Sequence, residues 1–489
     1  MVIISSLLVF TRSIVSILSL IIIIGLSLAI GLLAGGRWRS WLLLAGSILI
    51  IYWLQPSTPI RHLDFWLPTT CLALTIFAWI ITCPKETIFE RTNLVTGLVV
   101  VVLVLLIGST RYLGTFCCLT PTQPPAIEEI AIGISIIVVI AFLLSRFSRS
   151  EARWIYALSV LILGLFVVLK SEPLAKLTSA GLRSISAQSV SLASGLDIRW
   201  LGFSYVAFRL LHTLRDRLSG RLPGLTLQDY LVYVIFFPAF TAGPIDRVQR
   251  FTQDFHHPVK LTAEKALQGG KRLLLGIFSK FVLADGLALI ALNTTNASQV
   301  TSTGWLWLML YAFALRIFFD FAGYTDIAIG LGHLLGVQLP ENFDQPYRKP
   351  NLTQFWNSWH ITRANWFRAY FFNPLTRALR TSTSSIPAAF IIFFGQLSTF
   401  VLIGLWHGIT WNFAIWGAWH GLGLFIHNRW TELLRSKGIS FEARPRLQWL
   451  VRSAGTLLTF HYVSLGWVWF VLSTPEQSWK TLLKLVGIG

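Results

Sequence analysis

Three histidines, His407, His420 and His427, lie in the stretch Leu402–His427, which contains no Asp, Glu, Lys or Arg. Two of them share one tripeptide, Trp406-His407-Gly408 and Trp419-His420-Gly421. On one continuous helix, His420 and His427, seven residues apart, share a face, whereas His407 lies about 220° around from His420. Imidazole titrates near neutrality, so in a water-poor setting it can take a proton from a hydroxyl and return it to a leaving group. That chemistry suits transfer of an activated acyl group to an alcohol, where hydrolysis competes. Metal chemistry would need three or four converging ligands, and neither His-Glu-x-x-His nor a carboxylate cluster accompanies these histidines, so no metal is expected. There is no G-x-S-x-G elbow. The cysteines, Cys71, Cys83, Cys117 and Cys118, show no CxxC spacing and all precede the polar C-terminal region.

A second candidate group is WNSWHITRANWFRAYFFNPL, residues 356–375, which combines Trp356, Trp359 and Trp366 with His360, Arg363 and Arg368. From Arg348 to Arg380 there are six Lys or Arg and no acidic residue. Tryptophan at a membrane interface with arginine on its polar side describes an interfacial or re-entrant helix. It either anchors to anionic lipid or forms an anion-binding wall for a phosphate-bearing donor such as coenzyme A or a phosphopantetheine arm. In Leu315–Gly330, Arg316 and Asp320 stand four apart and are placed to pair on one helix face, with Asp326 on another. Such a pair would neutralise two charges that are costly in apolar surroundings.

The elements holding these groups are apolar. Of 489 residues 54% are hydrophobic and 12% charged, half the charged share of about 25% in soluble domains. Apolar runs cover Val2–Ala34 (interrupted by Arg12), Trp41–Leu54, Phe65–Thr82, Leu94–Gly108, Ala126–Leu144 and Trp154–Leu169. Others cover Tyr230–Thr241, Leu273–Leu292, Trp305–Phe319, Ile386–Leu405, Trp411–Ile426 and Leu457–Leu472. Many approach the ~20 residues that cross a bilayer as helix, and period-two alternation is absent. The expected fold is therefore all-α, a polytopic membrane protein with about eleven to thirteen spans. The first run carries no charge before Arg12 and is too long for a cleavable signal, so it reads as one retained span or two.

The net charge of +19 reads as basic loops of a membrane protein and not as a nucleic-acid surface. Arg37, Arg39, Lys85, Arg91, Arg146, Arg149 and Arg153 follow the first, third and fifth spans, while only Arg61 and Arg111 occupy the loops between. The positive-inside rule then puts the N-terminus outside if the first run crosses once. Residues 1–169 are simple spans, 170–199 are a Ser-rich connection, and from 200 to about 475 ionisable groups enter the apolar runs. The chemistry is expected there.

Six blocks in that region resemble, in order, the membrane-bound O-acyltransferase family. They are GFSYVAFRLLHTLRD (202–216), FFPAFTAGPIDR (236–247), GIFSKFVLADGLA (276–288), FFDFAGYTDIAIG (318–330), FWNSWHITRANWFRAY (355–370) and GLWHGITWNFAIWGAWHG (404–421). The likeness is greatest to the bacterial branch, which includes alginate O-acetylation proteins and the D-alanyl transferase of teichoic acids. It implies a ring of helices around a thin constriction, a thioester donor arriving from the cytoplasm, and a hydroxyl acceptor from the other side. It implies catalytic roles for His407 and His360, and substrate contacts from Arg316, Asp320, Tyr324, Trp359, Arg363, Arg368, Trp406 and Trp411. Acyl-CoA or an acyl carrier protein would be a substrate, with no bound cofactor. Membrane lipid, an envelope or exported glycan, and a carrier protein or periplasmic acetyltransferase would be the partners, at the plasma membrane. Two departures bear on the donor: the family's Arg-Asp-Tyr reads Arg368-Ala369-Tyr370, and the sequence after it, FFNPLTRALR, carries extra basic charge. Acetyl transfer is the expected reaction, aminoacyl transfer from a carrier protein its alternative. A transporter or flippase using the histidines as proton relays is a rival of another class, against which stands the lack of paired repeats.

Overall fold

The computed structural model describes residues 17–33, 38–147, 151–382, 386–439 and 445–488. Residues 1–16 of the first apolar run, with Arg12, and the loop residues Arg37 and Arg149 lie outside this set, as does the question of a second span in that run.

Helices of seven or more residues begin with α1 (Ile17–Leu32), α2 (Trp38–Trp53), α3 (Leu63–Thr82), α4 (Arg91–Ser109), α5 (Ile127–Phe147) and α6 (Glu151–Lys170). Next come α7 (Glu172–Ile185), α8 (Phe203–Leu218), α9 (Leu227–Ile235), α10 (Val248–His256), α11 (Ala263–Ile277) and α12 (Thr303–Leu334). The last are α13 (Leu352–Ser358), α14 (Ile361–Phe367), α15 (Asn373–Arg380), α16 (Ala388–His407), α17 (Trp411–Ser436), α18 (Pro445–Val471) and α19 (Pro475–Leu485). No strand occurs among the described residues, only an isolated bridge between Phe343 and Trp359. The fold is all-α.

Among the described residues seven helices (α3, α4, α5, α6, α12, α16 and α18) are long and apolar enough to cross a membrane, and three apolar helices are shorter. The run Leu273–Leu292, expected as a span, continues helically from α11 through a π-helical stretch at Phe278–Ala284 to Ala288 and then leaves helix. Exposed Ile132, Ile136, Val139 and Leu143 along α5 form an apolar face that acyl chains, not water, would solvate.

The described chain forms two compact units, one of residues 17–273 with 327–339, the other of 274–326 with 340–488. In the first, the Ser-rich connection becomes α7, with Pro173 in its first turn where no intrahelical N–H is needed. Asp197 then accepts from Ser179 at 2.6 Å, Arg183 Nε at 2.9 Å and the Ser194 N–H at 3.1 Å. Burial opposes its charge, but these donors outweigh burial and hold the Asp197 carboxyl below its ordinary value.

The first two blocks of the resemblance fold on each other in this unit. Thr226 and Asp229 form a capping box that starts α9. Beyond α9 the chain leaves helix, and Arg209 on α8 takes up its carbonyls, donating to Val234 O at 2.7 Å and Ala239 O at 2.8 Å. Also on α8, His212 Nε2 meets Asp216 Oδ2 at 3.0 Å and Nδ1 meets the Tyr233 hydroxyl at 3.1 Å. Tyr233 donates onward to Asp246 O at 2.8 Å, and Asp216 also receives Arg221 and Gln249, each at 2.9 Å.

Candidate active site

In the second unit, close helix approach has a simple origin in glycine. A Cβ on Gly404 of α16 would strike the Phe413 carbonyl, and one on Gly417 of α17 the Phe400 carbonyl. A Cβ on Gly421 would come within 3.0 Å of Leu397 Cα. Because glycine stands at all three, α16 and α17 form a tight hairpin joined by Gly408, Ile409 and Thr410. Thr410 caps α17 by accepting from the Phe413 N–H at 3.4 Å. The break puts His407 on the last turn of α16, so it and His420 belong to different helices and not to the one continuous helix considered above.

The His407 ring sits among Trp406 (4.6 Å between centroids), Phe470 (4.9 Å), Trp416 (5.6 Å) and Phe413 (5.9 Å). Its Nε2 lies 2.9 Å from Arg363 Nη1. A guanidinium can only donate, so Nε2 accepts and the ring is neutral with its proton on Nδ1. The same guanidinium lies 5.6 Å from the Trp406 ring centre, within cation–π range.

His360 reaches the group by a different device. It lies between α13 and α14 with φ 47°, in the left-handed region that side chains disfavour. Neighbouring bonds fix it there: Ile361 N–H donates to Asn342 O at 2.9 Å, Thr362 Oγ1 to Asn342 Oδ1 at 2.6 Å, and Asp344 N–H to Ser358 O at 3.1 Å. Strain held by surrounding bonds is a frequent mark of functional positions. The His360 ring is 1% exposed, packs edge-on to Phe321 at 4.6 Å, and lies 6.3 Å from Trp406. Neither ring nitrogen has a hydrogen-bond partner among the described residues. Burial, then the Arg363 guanidinium and His407, push its imidazole well below the ordinary value, so it is neutral.

Four expected residues, His360, Arg363, Trp406 and His407, therefore meet. Others do not join them. Trp359 is buried against Phe343 and Trp467 (both 5.3 Å) and Phe355 (5.6 Å), which makes it core. Trp411 is 78% exposed on the first turn of α17. Arg368 is exposed and donates to Asn357 Oδ1 at 2.6 Å. Asp320 pairs not with Arg316 but with Lys280, at 2.6 Å. That substitution of partner depends on Gly323, where a Cβ would stand 2.7 Å from Gly276 O and 2.8 Å from Lys280 N. Tyr324 is half-buried, one turn beyond Asp320 on α12.

Lys280 and Asn342 were not singled out from the sequence. The one lysine between Gly276 and Ala288 is a signal for the first, but Asn342 acts through its backbone carbonyl and its side-chain Oδ1, contacts that no local pattern announces. His420 is fully buried between Trp356 (4.8 Å) and Trp416 (4.9 Å), with no partner for either nitrogen among the described residues. His427, half-buried on the same helix, meets Thr353 Oγ1 at 3.2 Å.

Comparison with known proteins bears on what such a group does. The family model for MBOAT, the membrane-bound O-acyltransferase family, matches residues 142–465. A teichoic acid D-alanyltransferase of Streptococcus thermophilus is 30% identical over 66% of this chain and 77% of its own length. A probable alginate O-acetylase AlgI of Azotobacter vinelandii is 33% identical over 59% of this chain and 54% of its own. A peptidoglycan O-acetyltransferase of Helicobacter pylori is 31% identical over 53% and 47%. The chain thus spans about half the length of the two O-acetylating relatives.

Proposed function

Since the chain belongs to the membrane-bound O-acyltransferase family and His407 stands neutral and half-buried among aromatic rings, we propose that it is a multi-pass acyltransferase. It moves an acyl group, acetyl being the first choice, from a cytoplasmic thioester donor to a hydroxyl of an envelope or exported glycan. The observation that carries this reading is the accepting Nε2 of His407. That nitrogen takes the proton of the acceptor hydroxyl as its oxygen attacks the thioester carbonyl. The carbon–sulfur bond then breaks, and the thiolate recovers the proton from Nε2. His360, neutral and beside Trp406, lines the path with its two nitrogens open to a substrate polar group. Arg368, exposed, together with Arg377 and Arg380 on α15, faces the donor's phosphates. The plasma membrane is the site of action, and a carrier protein or a periplasmic acetyltransferase the working partner.

D-alanyl transfer from a carrier protein is the second reading. It is favoured by the D-alanyltransferase relative being matched over 77% of its length, against about half for the O-acetylating ones. One experiment separates the readings: mass spectrometry of envelope glycans from a deletion strain complemented with wild type or His407→Ala. Acetyl or alanyl esters should return only with wild type, and their return with His407→Ala would remove His407 from the chemistry. A transporter would form no ester in a purified system supplied with donor and acceptor.

A further inference from the structure

We infer that Arg363 is a positioning residue for His407: it holds the ring by the lone pair that the acceptor hydroxyl must reach, and the hydroxyl displaces it. This rests on the base role proposed above for His407. A guanidinium N–H at 2.9 Å from Nε2 makes the same demand on the imidazole as a hydroxyl donor would: an unprotonated Nε2 with the proton on Nδ1. The contact therefore selects, before substrate arrives, the tautomer in which Nε2 is the base. It also fixes the ring's rotation, as a second group does for the base in other nucleophile–base–orienter arrangements.

Arg363 is built to do this. It is 3% exposed and its guanidinium lies over Trp406, the residue preceding His407. Among the described residues, His360, before α14, and Arg363, on α14, are titratable or charged groups that face the His407 ring. Trp406 on α16, Phe413 and Trp416 on α17 and Phe470 on α18 are aromatic. The resemblance implies a substrate contact for Arg363, among the arginines of a donor wall. The structure instead puts it against the base.

In the reaction the acceptor O–H takes the place of the guanidinium N–H at Nε2. The oxygen bonds to the carbonyl carbon, its proton passes to Nε2, the carbon–sulfur bond breaks and the thiolate leaves with that proton. Arg363 neither gains nor loses a proton.

The test uses the full chain in lipid nanodiscs as wild type, Arg363→Met and Arg363→Lys, with 15N-labelled histidine and His407→Ala to assign the signal. Wild type should show His407 with Nδ1 protonated and Nε2 bare. The Met variant should show a mixture containing the Nε2–H tautomer, and Lys should restore part of the wild-type pattern. With acetyl-CoA or S-acetylpantetheine as donor and isolated envelope glycan as acceptor, kcat should fall about tenfold or more in the Met variant. The acceptor KM should fall, because a competitor for Nε2 is gone, and the donor KM should stay unchanged. An unchanged tautomer in Arg363→Met overturns the proposal, as does a raised donor KM with unchanged kcat, which is the donor-wall outcome. Transfer surviving in His407→Ala would defeat the base role instead, while a tautomer change in Arg363→Met would still support the positioning contact.

Discussion

Two buried histidine groups in this protein are made on opposite principles. Around His212 both ring nitrogens are engaged, by Asp216 and Tyr233, and each partner is bonded in turn to Asp246, Arg221 or Gln249. Around His360 neither nitrogen has a partner among the described residues, and the backbone is held left-handed at φ 47°. A satisfied buried network specifies structure, whereas a buried polar group without a partner costs about 1–3 kcal/mol. Such a cost is tolerated where the open atoms meet a substrate. His407 stands between the extremes, with one nitrogen engaged by a donor that a hydroxyl can replace.

The comparison breaks most visibly if each group is cut. His212→Ala should cost about 3–5 kcal/mol of stability, because a fully buried ring is removed and Tyr233 and Asp216 each lose a hydrogen bond to it. Thermal unfolding in detergent measures this, and transfer per folded molecule should be unaltered. A variant that melts normally but loses transfer would put His212 in the chemistry and end the distinction. His360→Asn keeps a residue tolerant of left-handed backbone while removing the imidazole. Transfer should drop about ten- to a hundredfold, ~1.4–2.7 kcal/mol in barrier, with little change in melting. Unfolding comparable to that of His212→Ala would make His360 structural.

Gly404→Ala tests the hairpin that carries His407. Its methyl would meet the Phe413 carbonyl, so the helices must part, at about 1–3 kcal/mol. Transfer should fall with stability, and an unchanged melting point would show that the close approach is not needed. The smallest effect concerns Asp197, whose carboxyl is held below its ordinary value in the folded state. A depressed carboxyl stabilises above the unfolded value of about 3.9 and loses that contribution as pH falls through the folded value. Wild type should therefore lose stability more steeply on acidification than Asp197→Asn. Parallel pH–melting curves would show that the Ser179–Arg183–Asp197 link carries no charge-dependent stability.

The sequence by itself determined that the fold is helical and membrane-bound, because apolar runs of sufficient length have one stable solution in lipid. Six ordered blocks also determined the family, and with it the attention to His360 and His407. Spacing did not determine partners. Arg316 and Asp320 sit four apart, as pairing requires, yet Lys280, forty residues before Asp320, takes the carboxylate at 2.6 Å because Gly323 admits its backbone. Trp359 and Trp411 read alike as aromatics of the motif blocks, but one is 3% and the other 78% exposed. Only the tertiary structure decided that Arg363 faces His407, since a hydrogen bond needs atoms within about 3 Å and correctly aimed. Residues forty-four positions apart meet that condition through the hairpin glycines and the Asn342 clamp, neither of which a local pattern encodes.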